Sequence, residues 1–178
     1  MPELDIPLFS VADAAEVAGT SVNTLRSHMH HGLIGLRKMD EAAPAGGTRL
    51  LTLRRVIQIA IMYELIRAHR QAPARAAQLA ANFTDFASGS PTPDNGGKLR
   101  EPGRTFGQPD FTWLVFHGDE GVGRIVRIQR TTTATELAVK FDGNGLVPGA
   151  WLPLDPIVKR VELFGEERGN NARRERRD

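Results

Sequence analysis

The stretch Ser10–Leu36, SVADAAEVAGTSVNTLRSHMHHGLIGL, reads as two short helices joined by a tight turn. Ser10, with Asp13 three residues on, can satisfy the free N–H groups of a helix start, and Val11, Ala14, Val17 and Ala18 follow at helical apolar spacing. Gly19 ends that helix. A second start stands at Thr20 or Ser21, with Val22, Leu25 and Met29 recurring every three or four residues and Gly32 just past the end. The apolar stripe of this second helix lies opposite Asn23, Thr24, Ser27, His30 and His31, with Arg26 and His28 on the flanks. Such an outward face is short, polar and charged only at its edge. Asn, Ser and Thr can exchange hydrogen bonds with base edges while a marginal Arg reaches phosphate, so the pattern suits a helix lying in a DNA major groove. It suits an ordinary solvated helix face equally well.

Outward from that stretch, the charge pattern is uneven. The 178-residue chain has a formal net charge of only +2, which by itself argues for no acidic partner. Residues 20–58, however, hold six basic side chains (Arg26, Arg37, Lys38, Arg49, Arg54 and Arg55) against Asp40 and Glu41. After Ile34 the segment GLRKMDEAAPAGGTRLLT has short extended pieces at Leu36–Met39 and Arg49–Leu51 around a Pro/Gly-rich tip, the pattern of a two-stranded wing spanning Arg37 to Arg49, with a plain disordered surface loop as the alternative. A wing would set Arg37, Lys38, Thr48 and Arg49 beside the second helix. Thr52 then caps a third helix, LRRVIQIAIMYELIRAHR, apolar on nearly every side from Val56 to Ile66 and so needing cover on more than one face. Arg54 and Arg55 in its first turn oppose the helix dipole but are well placed for phosphate. Pro73 opens a fourth helix reaching to about Phe86, with Ala76, Leu79, Ala80, Phe83 and Ala87 at helical spacing.

Thr24-Leu25-Arg26, His31-Gly32-Leu33-Ile34, and Gly47-Thr48-Arg49-Leu50 with Thr52 before a long apolar helix together resemble the MerR-type winged helix-turn-helix and its smaller excisionase-like relatives. The resemblance covers roughly residues 8–87. It implies that the second helix, Ser21–His31, enters the major groove and that the wing touches flanking backbone. By motif position Arg26 and Arg49 are similar to phosphate-contacting arginines, and Asn23, Thr24, Ser27 and His28 stand where family members read or clamp DNA. Family members often carry aromatic residues where this chain has Ser27, His28 and Thr48. They usually continue into a long dimerising helix, whereas this chain runs into SGSPTPDNGGKLREPGRTFGQPD, residues 88–110, which reads as a Gly/Pro-rich linker.

From Phe111 the pattern changes to strands. Thr112–Phe116, Gly123–Gln129, Glu136–Phe141 and Ala150–Leu154 are rich in branched and aromatic residues and separated by turn signals. Asp155-Pro156 then starts a helix with an apolar stripe of Ile157, Val158, Val161 and Phe164. The reading is a small antiparallel sheet closed by a helix, residues 111–165, serving dimerisation, an effector or a protein partner. The arginine-rich stretch 166–178 reads as a disordered tail. The expected fold class is thus α+β: a winged helix-turn-helix of four helices and a two-stranded wing over 1–87, a linker, the sheet unit and the tail.

Little in the sequence points to catalysis. The absence of cysteine excludes disulfides, thiolate metal sites and cysteine nucleophiles. His28 and His31 lie one turn apart but have no carboxylate or cysteine near them in sequence, so no metal or other cofactor is expected. Asp119 and Glu120 lack an accompanying base or nucleophile, and Asp142-Gly-Asn-Gly lacks the later ligands of a calcium loop. Trp113 and Trp151 can line a small pocket but as strand residues belong more naturally to a core. No apolar run approaches the roughly 20 residues that span a bilayer, and MPELDIPLF lacks a basic signal-peptide start, so a cytoplasmic, nucleoid-associated protein without a membrane partner is expected. The expected function is that of a sequence-specific transcriptional regulator of bacterial or phage type, not an enzyme. Such a regulator is expected to bind double-stranded DNA as a homodimer through Ser21, Asn23, Thr24, Arg26, Ser27, His28, His30, Arg37, Lys38, Thr48, Arg49, Arg54 and Arg55. The alternatives are a DNA-bending recombination directionality factor, and an adaptor that binds protein rather than DNA.

Overall fold

The computed structural model describes residues 3–36, 50–86, 100–116, 123–136 and 150–174. Strand β1 (Pro7–Phe9) leads into helix α1 (Val11–Ala18), whose start is a reciprocal capping box. The Asp13 amide donates to Ser10 Oγ at 3.1 Å and the Ser10 amide to Asp13 Oδ2 at 2.9 Å. Gly19, left-handed at φ 66°, ends the helix, with its N–H on the Glu16 carbonyl at 3.1 Å and that of Thr20 on Ala15 at 3.0 Å. Helix α2 (Val22–His30) starts on Ser21, whose hydroxyl accepts the Thr24 amide at 3.0 Å. It ends as α1 does: Gly32 is left-handed at φ 69°, and Gly32 and Leu33 donate to Met29 and His28. Two glycines in the one backbone region that L residues avoid therefore set the lengths of both helices.

Strand β2 (Leu51–Thr52) runs directly into helix α3 (Leu53–His69), capped by Thr52, and helix α4 (Pro73–Thr84) follows. β2 pairs antiparallel with β1, Phe9 opposite Leu51 and Pro7 opposite Thr52. The described end of the expected second wing strand is thus paired with the chain's N-terminal strand. The rest of the expected wing, with Arg37, Lys38, Thr48 and Arg49, lies outside the described residues. The C-terminal half supplies a second sheet of β3 (Phe111–Phe116), β4 (Gly123–Ile128) and β5 (Ala150–Pro153), antiparallel in the order β4-β3-β5, and then helix α5 (Asp155–Arg174).

α3 is the centre of the molecule. Val56, Ile57, Ile59, Ala60, Ile61, Met62 and Leu65 are all buried, with α1, α4 and α5 packed around them. The cover that its all-round apolar surface requires comes from the same chain, and its last face is closed by the C-terminal helix. Leu114 and Phe116 of the sheet, with Leu152, Leu154, Ile157, Val158 and Val161, belong to the same continuous hydrophobic cluster as Leu25, Leu51 and Phe83. The sheet unit expected to stand apart behind a linker is therefore packed into the core of the first half.

Three further expectations are corrected. Residues 100–110, read as linker, are tied down: the Arg100 guanidinium, 3 % exposed, donates to the carbonyls of Phe83, Phe86 and Arg104 at 3.0–3.1 Å and lies 4.6 Å over the Phe83 ring. It satisfies the open carbonyls at the end of α4. Burial, with Arg54 nearby, brings its pKa down to about 10. Residues 88–99 lie outside the described residues. Glu136, expected to begin a strand, sits in a short helical turn at 134–136, where its carboxylate takes the Thr133 amide at 2.7 Å and the Thr133 hydroxyl takes its own amide at 3.3 Å. That Thr133-x-x-Glu136 capping box was legible in the sequence; residues 137–141 lie outside the description. Lastly, 166–174 is helix rather than disordered tail. Arg168 there pairs with Asp13 and Glu16 of α1, each at 3.0 Å, and Gly165 passes so close to Phe9 that an added Cβ would lie 2.9 Å from its ring.

Candidate nucleic-acid interface

α2 is held from beneath. Leu25 is fully buried, Ile34 is nearly so, and Val22, Met29, Leu33 and Leu36 pack partly on the same core. The opposite side is exposed: Ser21, Asn23, Thr24, Arg26, Ser27, His30 and His31 all face solvent. The expected division of this helix into an anchored stripe and a polar face therefore holds residue by residue. Within the face, the Ser21 and Thr24 hydroxyls are 2.7 Å apart, so both are partly engaged in the cap. Asn23, Arg26, Ser27, His30 and His31 are the polar side chains left pointing outward.

His28 departs from the expected set. Its Nδ1 is 2.9 Å from the Tyr63 hydroxyl, and the two rings stack with centroids 5.7 Å apart. Half-buried against α3, it positions the helix more than it presents a group to a ligand. Burial, and secondarily the neighbouring His31, lower its pKa from the ordinary value of 6.5. Tyr63, whose hydroxyl also takes a side-chain hydrogen bond with Thr20 at the turn, is raised by burial. Tyr63 was not anticipated as part of the site. Its signal was faint: the chain's only tyrosine, in an otherwise apolar helix, brings a hydroxyl that needs a partner. His30 and His31 meet edge to face at 5.5 Å, and no group of three metal-ligating side chains exists among the described residues.

Arg54 and Arg55 are structural, contrary to expectation. Arg54 grips Asp5 through Nε and Nη2, both at 2.7 Å, and donates from Nη1 to the carbonyls of Thr84 (3.1 Å) and Pro102. Gly103, left-handed at φ 76°, passes where a Cβ would lie 3.2 Å from the same guanidinium. Arg55 is 1 % exposed and donates to Gln58, with Asp85 at 3.4 Å. The first turn of α3 lies beneath the N-terminal segment and the 100–104 loop, so these cations are neutralised by carboxylates and carbonyls of the protein itself.

Trp113 and Trp151 pack on each other, centroids 5.5 Å apart, on the sheet face that also carries Val115 and Val126. No helix among the described residues is long and apolar enough to cross a membrane. No family model, curated protein or solved structure matches the chain.

Proposed function

We propose that the protein is a sequence-specific DNA-binding regulator whose α2 lies in the major groove, with Asn23 and Ser27 facing base edges and Arg26 on phosphate. The observation that supports this most strongly is the division of α2: a buried Leu25 anchor below and an exposed polar face above, on a helix whose ends are set by a Ser cap and a left-handed glycine. Short polar side chains on a rigid helix suit base readout, because little side-chain entropy is lost on binding. The turn of three residues between α1 and α2, and the likeness of Thr24-Leu25-Arg26 and His31-Gly32-Leu33-Ile34 to a MerR-type head, fit the same reading. In it, residues 37–49 form the wing, and Arg37, Lys38, Thr48 and Arg49 contact flanking backbone.

Footprinting and gel shifts on genomic fragments, the region upstream of its own gene included, test the proposal. Protection of a defined site that survives excess competitor DNA at moderate salt is expected. Equal affinity for all fragments would remove the regulator reading, and no affinity at all would remove the DNA reading.

A further inference from the structure

We infer that the exposed stripe of α5 is a self-complementary surface on which a second copy of this chain docks antiparallel. Ile157, Val158 and Val161 turn one side of α5 into the core, which leaves Pro156, Lys159, Arg160, Leu163 and Glu167 along the other. Leu163 is 50 % exposed, and with Val17, Pro156 and Phe164 it gives an apolar floor to an open groove of about 610 Å³ between α5 and α1. Lone exposed leucines are ordinary; the charges around this one are what identify the occupant.

Lys159 lies four residues before Leu163 and Glu167 four residues after it, and Arg160 and Glu166 stand three before and three after. A twofold axis at Leu163 with the helices antiparallel therefore sets Lys159 level with Glu167 of the second copy and Arg160 level with its Glu166. The two offsets from Leu163 are about 6 Å and about 4.5 Å along the helix. Leu163 then meets its own counterpart at the centre, as an isologous contact requires. A parallel arrangement would bring like charges together, so the pattern also selects the orientation. Lys159 and Glu167 enter no ion pair among the described residues, and Arg160 reaches Glu64 only at 3.9 Å. The groove wall is held in place independently by Arg168 on Asp13 and Glu16.

Sedimentation or light scattering of the full chain without DNA tests this, and its outcome does not depend on the DNA reading. At tens of micromolar the mass is expected at twice the 19.5 kDa of one chain. Leu163→Glu is expected to give monomer with an unchanged circular dichroism spectrum; Leu163→Ala, which introduces neither charge nor bulk, is expected to weaken the dimer at least about tenfold, a change of about 1.4 kcal/mol. The double variant Lys159→Glu/Arg160→Glu and the double variant Glu166→Lys/Glu167→Lys are each expected to be monomeric alone and to associate when mixed. A wild-type chain that stays monomeric, a dimer indifferent to both Leu163 variants, or charge variants that fail to pair on mixing would each overturn the proposal.

Discussion

Arg26 and the pair Arg54 and Arg55 are the same residue type in the same basic stretch of sequence, yet the fold places them in opposite surroundings. Arg26 stands exposed at the margin of α2, and among the described residues no carboxylate pairs with it. Arg54 and Arg55 are enclosed, the one held by Asp5 and two carbonyls, the other by Gln58 and Asp85. The difference comes from what each helix packs against. α2 lies on the core by one narrow stripe and keeps its other side open. α3 is covered all round, so even the polar residues of its first turn are drawn inside and must find partners from distant parts of the chain. An arginine near a candidate interface thus says little until its carboxylates are located.

The comparison can be broken most decisively at Arg55. Arg55→Ala leaves Asp85 and Gln58 facing a cavity and is expected to destabilise the fold by about 3 kcal/mol, read as a fall in thermal or urea midpoint. The fraction that remains folded should bind DNA as the wild type does. If instead Arg55→Ala spares stability and abolishes DNA binding, the division between the two arginine sets is wrong. Next in size is Asn23→Ala, expected to lose about 1–3 kcal/mol of discrimination between its site and base-substituted variants of it, measured by competition binding. Stability should stay within about 0.5 kcal/mol, as for other exposed positions.

Arg26→Ala sharpens the contrast from the other side. It is expected to leave the melting curve in place, to weaken binding to every sequence alike, and to lower the slope of log affinity against log salt by about one. An unchanged slope would show that Arg26 touches no phosphate. The smallest effect concerns His28. Burial and His31 depress its pKa in the folded protein, so below the ordinary value of 6.5 the unfolded chain binds more protons than the folded one. Stability is therefore expected in full above pH about 6.5 and to decline as the pH falls below it. In His28→Gln, which keeps a polar group near Tyr63, the decline between pH 6.5 and 5 should be shallower.

How far the sequence could be read depended on the range of the interactions involved. The caps at Ser10, Ser21 and Thr52 and the left-handed glycines at 19 and 32 act over three to five residues, and all lie where local spacing placed them. The outward face of α2 was legible for the same reason, since helical periodicity alone separates Leu25 from Asn23 and Ser27. For residues 100–110 the Gly/Pro-rich composition was misleading: composition describes a chain's local freedom, whereas Arg100 is held through contacts with Phe83 and Phe86 at the end of α4. Arg168 in the arginine-rich C-terminus was misleading in the same way, because its charge is offset on α1 by Asp13 and Glu16.

By itself, then, the sequence determined the helix boundaries near the N-terminus, the anchored and open sides of α2, and the strand character of the C-terminal half. Each of these rests on backbone hydrogen bonding and periodicity within one element. Only the tertiary structure decided which cations are available to a partner, that the sheet and the last helix belong to the core around α3, and that α5 keeps a charged stripe outward. Those outcomes depend on pairings between residues 30 to 152 positions apart, such as Arg55 with Asp85, Arg54 with Asp5 and Arg168 with Glu16, which no local pattern encodes.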